Sequence, residues 1–323
     1  MENDFMRWFG LTIPIVQAPI GGASNTVLAT EVGRAGGMGA LALTWTAADL
    51  AAEQIATLNA AAVAFYVNFV LRFGTAAIES AAKCEPPAIT LSWGIDADAI
   101  LLVKSHGVKV GVQVATPTGA VAAIEAGADY LIAQGIEAGG HVQSSTALHK
   151  LLADVIEVAG TVPVLAAGGV ARASDIAACL AQGAQAVVMG TRFVVTTESS
   201  AHEVHKHAIV EASVDCTSYT NCFDGDFPYA MHRVLRNSTL DAWEAAGSPQ
   251  APNRPGEGDV ILYHGATPIL RYGDTGPLAG ATGDVEAGCL YAGIGATHID
   301  KVEPAGVMMQ RLWAETVELR SRS

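Results

Sequence analysis

The sequence predicts an α/β fold in which eight β-strand–α-helix units follow one another along the chain. Short runs rich in Val, Ile and Leu alternate with Ala-rich segments of helical spacing, which is typical of a parallel sheet covered by helices. The predicted strands begin about 20 to 30 residues apart, as in a closed (β/α)8 TIM barrel. Several helices end on glycine, which caps a last helical turn in the left-handed conformation. The phrases that show this are RAGGMGALAL, SHGVKVGVQV, EAGADYLIAQ and AQGAQAVVMG.

Each predicted strand is an apolar run, and a helix is predicted after each of them. The eight strands are predicted at residues 13–17, 38–43, 63–70, 88–93, 109–115, 130–134, 162–167 and 186–190. We expect residues 1–212 to form the barrel. After about Ser213 the alternation ends, and residues 213–323 are predicted to form a cap on the barrel, because a long irregular segment rarely folds alone. An extended stretch at 260–263 and a closing amphipathic helix at 304–319 are predicted within it.

Composition restricts the classes of partner and compartment. Of 323 residues, 50% are apolar and 15% are charged, so a large core is expected. The net charge is −14 and no basic block is present, which argues against nucleic acid as a partner. Five scattered cysteines do not form a disulfide framework, so a reducing, cytoplasmic compartment is the expectation. No signal peptide and no membrane span of about 20 apolar residues is predicted.

The ends of the seventh and eighth strands predict a phosphate site. Gly168 and Gly169 follow the seventh strand, and Gly190 and Thr191 follow the eighth. In (β/α)8 barrels the active site lies at the carboxyl ends of the strands, and these two loops commonly hold phosphate. Glycine lets backbone N–H groups approach an anion closely. The alternative is that these glycines only close tight turns.

The sixth strand ends in the phrase QGIEAGGH, residues 134–141. A Gly139-Gly140 pair directly before His141 lets the imidazole project over the barrel mouth. The near-neutral pKa of histidine suits general acid–base chemistry. The alternative is an ordinary loop histidine.

Polar residues occupy inward-facing positions of other predicted strands. Asn68 lies near the end of the third strand and Gln113 in the fifth, and both either contact a ligand or form hydrogen bonds within the core. Ala18, Pro19 and Ile20 follow the first strand in the phrase QAPIGG. They either approach a planar ligand or form a plain turn.

Taken together, QAPIGG, the Asn68 strand, QGIEAGGH, PVLAAGG and VMGTRF resemble the nitronate monooxygenase family, whose members are FMN-dependent TIM-barrel enzymes. The resemblance covers roughly residues 10–212, and the phrase LYAGIGA at 290–296 is similar to the family's return to the site. It implies that FMN lies across the barrel mouth. The residues implied in FMN binding are Ala18, Pro19, Ile20, Asn68, Gln113, Gln134, Gly135, Gly139, Gly140, Gly168, Gly169, Val188, Met189, Gly190 and Thr191.

By the same resemblance, His141 corresponds to the family's catalytic histidine. It would take the α-proton of a nitroalkane or stabilise the anionic nitronate. The flavin and O₂ would then convert the nitronate into a carbonyl compound and nitrite. Tyr291 is predicted to contact the small-molecule substrate, with packing of the cap as the alternative, and a homodimer is plausible.

Two other functions remain open. FMN-dependent enoyl-acyl-carrier-protein reductases, which use NAD(P)H, share the barrel phrases and are also similar over residues 190–202, GTRFVVTTESSAH. A flavin-free barrel that binds a phosphate ligand is the second alternative. No metal site is predicted, because His202, His205 and His207 do not share one helix face and are expected at a solvated helix start.

Overall fold

Eight parallel strands form the centre of the computed structural model, which describes residues 3–225 and 227–322. Each lies within two residues of its predicted bounds, so the predicted strands are confirmed. In chain order they are β1 Ile15–Gln17, β2 Gly39–Ala42, β3 Phe65–Val70, β4 Ala88–Ser92, β5 Lys109–Val114, β6 Tyr130–Gln134, β7 Val164–Ala167 and β8 Ala186–Met189.

The strands close into a barrel. Each strand from β2 to β8 pairs in parallel with the next along the chain, and β8 pairs with β1, where Val187 lies opposite Ile15. A single bridge between Val16 and Met38 joins β1 to β2. The buried side chain of Gln17 extends this short pairing, because its Nε2 donates to the carbonyl of Ala40 and its Oε1 accepts from the N–H of Ala40, both at 3.1 Å. The (β/α)8 TIM-barrel prediction is therefore confirmed.

Twelve α-helices lie among the described residues. They are α1 Asp4–Phe9, α2 Thr26–Arg34, α3 Ala48–Ala60, α4 Ala76–Ala82, α5 Ala97–Ser105, α6 Pro117–Glu125, α7 Leu148–Ala159, α8 Ala173–Ala181, α9 Thr191–Val194, α10 Glu203–Val210, α11 Ser238–Ala245 and α12 Ala305–Ser321. Short polar residues begin several of them: the side chains of Asn25, Asp96 and Thr116 each accept a backbone N–H of the first turn, which satisfies a donor that the helix itself leaves free.

Alternate strand residues face two separate cores. Tyr66, Tyr130 and Val188 point into the barrel, whereas Val67 and Val187 pack against the surrounding helices. This alternation follows from the two-residue period of a strand. Phe5 of α1 closes the amino-terminal end of the barrel, with its ring centroid 5.1 Å from that of Tyr130. The opposite end is therefore the open one.

The segment after α10, which we call the cap, reaches the loops at the carboxyl ends of the barrel strands. Its longer strands are β9 Thr217–Thr220, β10 His232–Leu235, β11 Val260–His264 and β12 Thr267–Leu270. Two-residue strands at Gly140–His141 and Thr282–Gly283 pair with β10 and β11, respectively. The predicted extended stretch at 260–263 is thus confirmed.

The last helix of the barrel ring comes from the carboxyl-terminal part of the chain. α9 and α10 follow β8, but α12 packs between α8 and α2 and completes the ring. The hydroxyl of Thr316 donates to the carbonyl of Ala173 in α8, and the amide of Gln310 donates to the carbonyl of Ala35 after α2. The predicted closing helix is confirmed, and no helix in the described ranges has the length and apolar character needed to cross a bilayer.

Candidate active site at the mouth of the barrel

Three amides lie at the carboxyl ends of the strands. Asn68 is buried, and its Nδ2 donates to the carbonyl of Thr90 at 3.1 Å. The Nε2 of Gln113 donates to the Oε1 of Gln134 at 3.0 Å, and the Nε2 of Gln134 donates to the carbonyl of His141 at 3.3 Å. The predicted residues Gln113, Gln134 and His141 therefore form one connected unit.

His141 is held by the cap as well as by the barrel. It pairs in antiparallel register with His232 of β10. The preceding Gly140 has a φ of +75°, a conformation that glycine adopts without strain. The guanidinium of Arg233, the next residue of β10, donates to the carbonyl of Ile136 in the loop that leads to His141, at 2.9 Å. The His141 backbone is thus fixed on two sides, whereas its side chain faces the mouth.

Aromatic rings and one carboxylate surround the His141 imidazole. Its ring centroid lies 4.9 Å from that of Phe227, 5.4 Å from that of His232 and 5.6 Å from that of Tyr291. Its Nε2 lies 4.0 Å from Oδ2 of Asp274. Burial, with a smaller contribution from His232, lowers the pKa of His141 to about 3. The imidazole is therefore neutral at pH 7 and is able to accept a proton.

His232 is locked in one tautomer by two backbone groups. Its Nε2 accepts from the N–H of Phe223 at 3.2 Å, and its Nδ1 lies 3.0 Å from the carbonyl of Ala230. Because Nε2 is the acceptor, the proton resides on Nδ1. Burial lowers the pKa of His232, so this ring is a neutral wall of the site.

Two buried side-chain nitrogens at the mouth have no hydrogen-bond partner among the described residues: Nε2 of His141 and Nε2 of Gln143. The other polar atom of the Gln143 side chain is used, because its Oε1 accepts from the N–H of Trp93 at 3.1 Å. Buried polar atoms without a partner are rare in proteins and call for an explanation such as a ligand. These two nitrogens are therefore candidate ligand contacts.

Glycines bring the loops after β6, β7 and β8 close together. A Cβ at Gly139 would lie 2.4 Å from the nitrogen of Gly293, and one at Gly169 would lie 2.9 Å from Cβ of Glu137. Gly168 has a φ of +120° and Gly169 one of +71°. The hydroxyl of Thr191 accepts from the N–H of Gly293 at 2.9 Å. These glycines are needed for packing of the chain, whatever else they bind.

The remaining predicted residues also lie at the mouth. The N–H of Ala18 donates to the carbonyl of Met189 at 2.8 Å, which joins the turn containing Pro19 and Ile20 to β8. The side chain of Val188 faces the barrel interior, whereas that of Met189 faces the helices. Gly135 lies beneath the β6 loop, and its N–H donates to the carbonyl of Ala167 at 2.9 Å.

Sequence reasoning missed Gln143 and Asp274. Gln143 stands two residues after His141, and alternation continued from the strand at Gly140–His141 would place both on one side, so this residue could have been found. Asp274 reaches the site through a long cap loop, and no sequence signal indicates it. The expectation of a solvated helix start at the histidine cluster is wrong for His205, which is buried and contacts the carbonyl of Tyr291 at 3.0 Å. In the part of the chain that the structure describes, no metal-binding group of side chains is found.

Comparison with known proteins decides the family. The family model described as nitronate monooxygenase matches residues 67–315 of the chain. The chain belongs to the nitronate monooxygenase family. It is therefore an oxidoreductase that acts on a small molecule.

One curated relative and two solved structures show how far the similarity extends. Nitronate monooxygenase from Pseudomonas aeruginosa is 31% identical, over 98% of this chain and 99% of its own. The structure of nitroalkane oxidase from Streptomyces ansochromogenes has a TM-score of 0.80 and 30% identity and covers 99% of both chains. FabK from Thermotoga maritima has the same TM-score at 27% identity, with 100% of this chain and 98% of that chain covered.

Proposed function

We propose that this member of the nitronate monooxygenase family oxidises alkyl nitronates, and nitroalkanes after loss of a proton, to a carbonyl compound and nitrite, with FMN as cofactor and O₂ as oxidant. One observation carries the proposal: His141 has a buried Nε2 without a hydrogen-bond partner in the described ranges, on the loop that resembles the family's catalytic loop. The family membership of the chain and of its relatives supports the same reaction.

The residues at the mouth fit FMN. Thr191 begins α9, and the first N–H groups of a helix have no partner within the helix, which favours a phosphate there. Packing within the protein does not require glycine at position 190, because a Cβ at Gly190 would make only ordinary contacts with Ala18 and Ile20, at 3.5 and 3.6 Å. The unpartnered Nε2 of Gln143 supplies a donor. When bound, FMN would supply the redox chemistry, as acceptor of electrons from the nitronate and as the group that reacts with O₂.

The phosphate would be held by Gly168, Gly169, Gly190 and Thr191, as the resemblance implies. The turn of Ala18, Pro19 and Ile20, with Val188 and Met189 of β8, would lie along the cofactor. Asn68, Gln113, Gln134 and Gln143 would supply amides toward it, and Gly135, Gly139 and Gly140 would allow the β6 loop to approach it. All of these assignments are parts of the proposal.

His141 acts as the base on neutral nitroalkanes. Its ring is neutral at pH 7, since burial lowers its pKa to about 3, and the neutral ring accepts a proton at Nε2. A histidine of such low pKa is a weak base by itself. The carboxylate of Asp274, 4.0 Å from Nε2, offsets this because it stabilises the imidazolium as the proton arrives.

The cap keeps water from the proton-transfer site. Phe227 and Tyr291 lie against the imidazole, and Tyr291 is fixed because its hydroxyl donates to the carbonyl of Asp274 at 2.8 Å. Exclusion of water strengthens the attraction between the imidazolium and the developing nitronate anion. We assign Tyr291 to the wall that contacts the substrate.

Enoyl reduction by FMN and NAD(P)H is the second candidate, favoured by the similarity to FabK. Residues 190–202 are also similar to such reductases. The local contacts give this run a structural role. The Glu198 carboxylate accepts from the N–H of Ala305 at 3.0 Å and caps α12, and the hydroxyl of Ser200 accepts from the amide of Asn25 at 2.8 Å. The run therefore does not discriminate between the two activities.

A visible spectrum of the purified protein, followed by anaerobic mixing, tests the proposal. We expect a flavin band near ~450 nm that bleaches with propyl nitronate and not with NADH or NADPH. Bleaching by a nicotinamide alone would identify a reductase. Absence of a flavin band after incubation with FMN would indicate a barrel that binds another phosphate ligand.

A further inference from the structure

A continuous line of aromatic rings leads from the outer surface to His141. The ring centroids of Trp45 and Phe73 are 5.0 Å apart, those of Phe73 and Phe227 are 5.0 Å apart, and Phe227 lies 4.9 Å from the imidazole. Trp93 joins the line at 4.7 Å from Phe227. We call Trp45, Phe73, Trp93 and Phe227 the aromatic strip.

The aromatic strip becomes steadily more buried toward the site. Trp45 is 67% exposed, Phe73 is 39% exposed and Phe227 is 8% exposed. A contiguous line of exposed rings is unfavourable in water, and such patches mark binding surfaces. The exposed parts of the outer rings do not stabilise the fold, because hydrophobic stabilisation requires burial.

Trp93 supplies an independent observation. Its φ is +61°, which is rare for a bulky residue and is found where the surrounding structure enforces it, often at functional sites. Its N–H donates to Oε1 of Gln143 at 3.1 Å. The ring lies edge-on to Phe227 and near His141, at centroid distances of 4.7 and 6.1 Å.

We propose that the aromatic strip is a subsite for an unbranched alkyl or aryl chain on the reacting carbon of the substrate. This inference rests on the proposed function, which places the reacting carbon at His141. The inner part of the strip is nearly buried, so it suits a slender chain rather than the face of a folded partner. Aromatic side chains offer a large hydrophobic contact area, which suits an uncharged chain.

Chain length then determines catalytic efficiency. Each methylene that leaves water for such a surface raises kcat/KM by about two- to fourfold. We expect kcat/KM to rise through the series of nitronates from nitroethane to 1-nitrodecane. Specificity of this enzyme for long-chain over short-chain nitronates would depend on Phe73 and then on Trp45, which follow Phe227 outward at ring-to-ring steps of 5.0 Å.

The test compares the FMN-loaded wild type with the double variant Trp45→Ala/Phe73→Ala. We expect the ratio of kcat/KM for the ten-carbon over the two-carbon nitronate to fall by about tenfold in the double variant. Trp8→Ala is the matched control, because Trp8 is also exposed, at 41%, but lies against Lys109 at the other end of the barrel. Its ratio should equal that of the wild type.

A binding measurement separates failure of the subsite from failure of the proposed function. Straight-chain carboxylates from propanoate to octanoate are titrated into the FMN-loaded proteins by calorimetry. Affinity that rises with chain length in the wild type but not in the double variant supports the subsite, even if no nitronate is turned over. Turnover of nitronates with the same dependence on chain length in both proteins would overturn the subsite and leave the proposed function standing.

Discussion

The two halves of the barrel mouth are lined by different kinds of residue. On the side of β6, β7 and β8 the lining is glycine, and a Cβ at Gly139 would collide with backbone of the returning cap segment. On the side of β2, β3 and β4 the lining is the aromatic strip, with Trp45 largely exposed. We call these the glycine half and the aromatic half.

The difference matches the two ligands of the proposed function. Backbone groups exposed by glycine make fixed contacts, which suits a cofactor of constant shape. Large side chains on separate loops make a surface that tolerates different chains, which suits a substrate class. His141 stands at the boundary, since it follows Gly140 on the β6 loop and its ring contacts Phe227 of the aromatic half.

The largest expected effect comes from substitution of His141, the residue at the boundary between the two halves. His141→Gln preserves the size of the side chain and removes the base, so kcat/KM for neutral nitroalkanes should fall by about 10²–10⁴-fold. Preformed nitronates need no proton abstraction, and their loss should stay below about tenfold. Steady-state kinetics with both substrate forms measures this. Equal losses on both forms would exclude the role of His141 as base.

Acid stability gives a second test of the boundary residue. The pKa of His141 is about 3 when folded, against 6.5 for an unperturbed histidine, so the unfolded chain binds more protons between these pH values. The free energy of unfolding should therefore fall as the pH drops from about 6.5 toward 3. His205, with a pKa lowered to about 4 by burial, acts in the same direction.

In His141→Gln the slope of this free energy with pH should decrease by up to about 1.4 kcal/mol per pH unit between pH 4 and 6. Urea unfolding at a series of pH values provides the measurement. His149→Gln is the control, because His149 is exposed. An unchanged slope in His141→Gln would show that the imidazole is not buried in its neutral form.

Substitutions of two neighbouring glycines test why the glycine half requires glycine. Gly139→Ala forces backbone apart at Gly293 and Ala292 and should cost about 2–3 kcal/mol of stability, with loss of FMN during gel filtration. Gly140→Ala meets nothing within 4 Å and is opposed only by its φ of +75°, so it should cost about 1 kcal/mol. Equal costs in thermal unfolding would show that close approach is not what requires Gly139.

The smallest expected effect concerns Asp274. Asp274→Asn removes the carboxylate that stabilises the imidazolium, so kcat for nitroalkanes should fall by about tenfold with little change in KM. The acidic limb of its pH–rate profile, which reports protonation of His141, should shift to lower pH, and Asp274→Glu should restore part of the rate. The pH–rate profiles of the three proteins measure this. A uniform loss on nitroalkanes and nitronates would indicate a structural role instead.

The strands and the glycine half were predictable from the sequence for physical reasons. Strands covered by helices are buried on both faces, so each appears as an apolar run, and glycine is needed where φ is positive or chains touch. The aromatic half was not predictable as a unit, because Trp45 and Phe73 come from loops after different strands and Phe227 joins them from the cap. Asp274 is likewise distant in sequence from His141, at 133 residues, and is brought to it by a cap loop.

The origin of α12 has a consequence for biosynthesis. The wall of the barrel between α8 and α2 stays open until residues 305–321 have left the ribosome, long after β8 has been made. Contacts of such sequence separation slow folding, and until then the core lacks Met308, Met309 and Leu312 of α12, which are buried in it. A barrel completed so late exposes apolar surface for longer, which favours aggregation during folding.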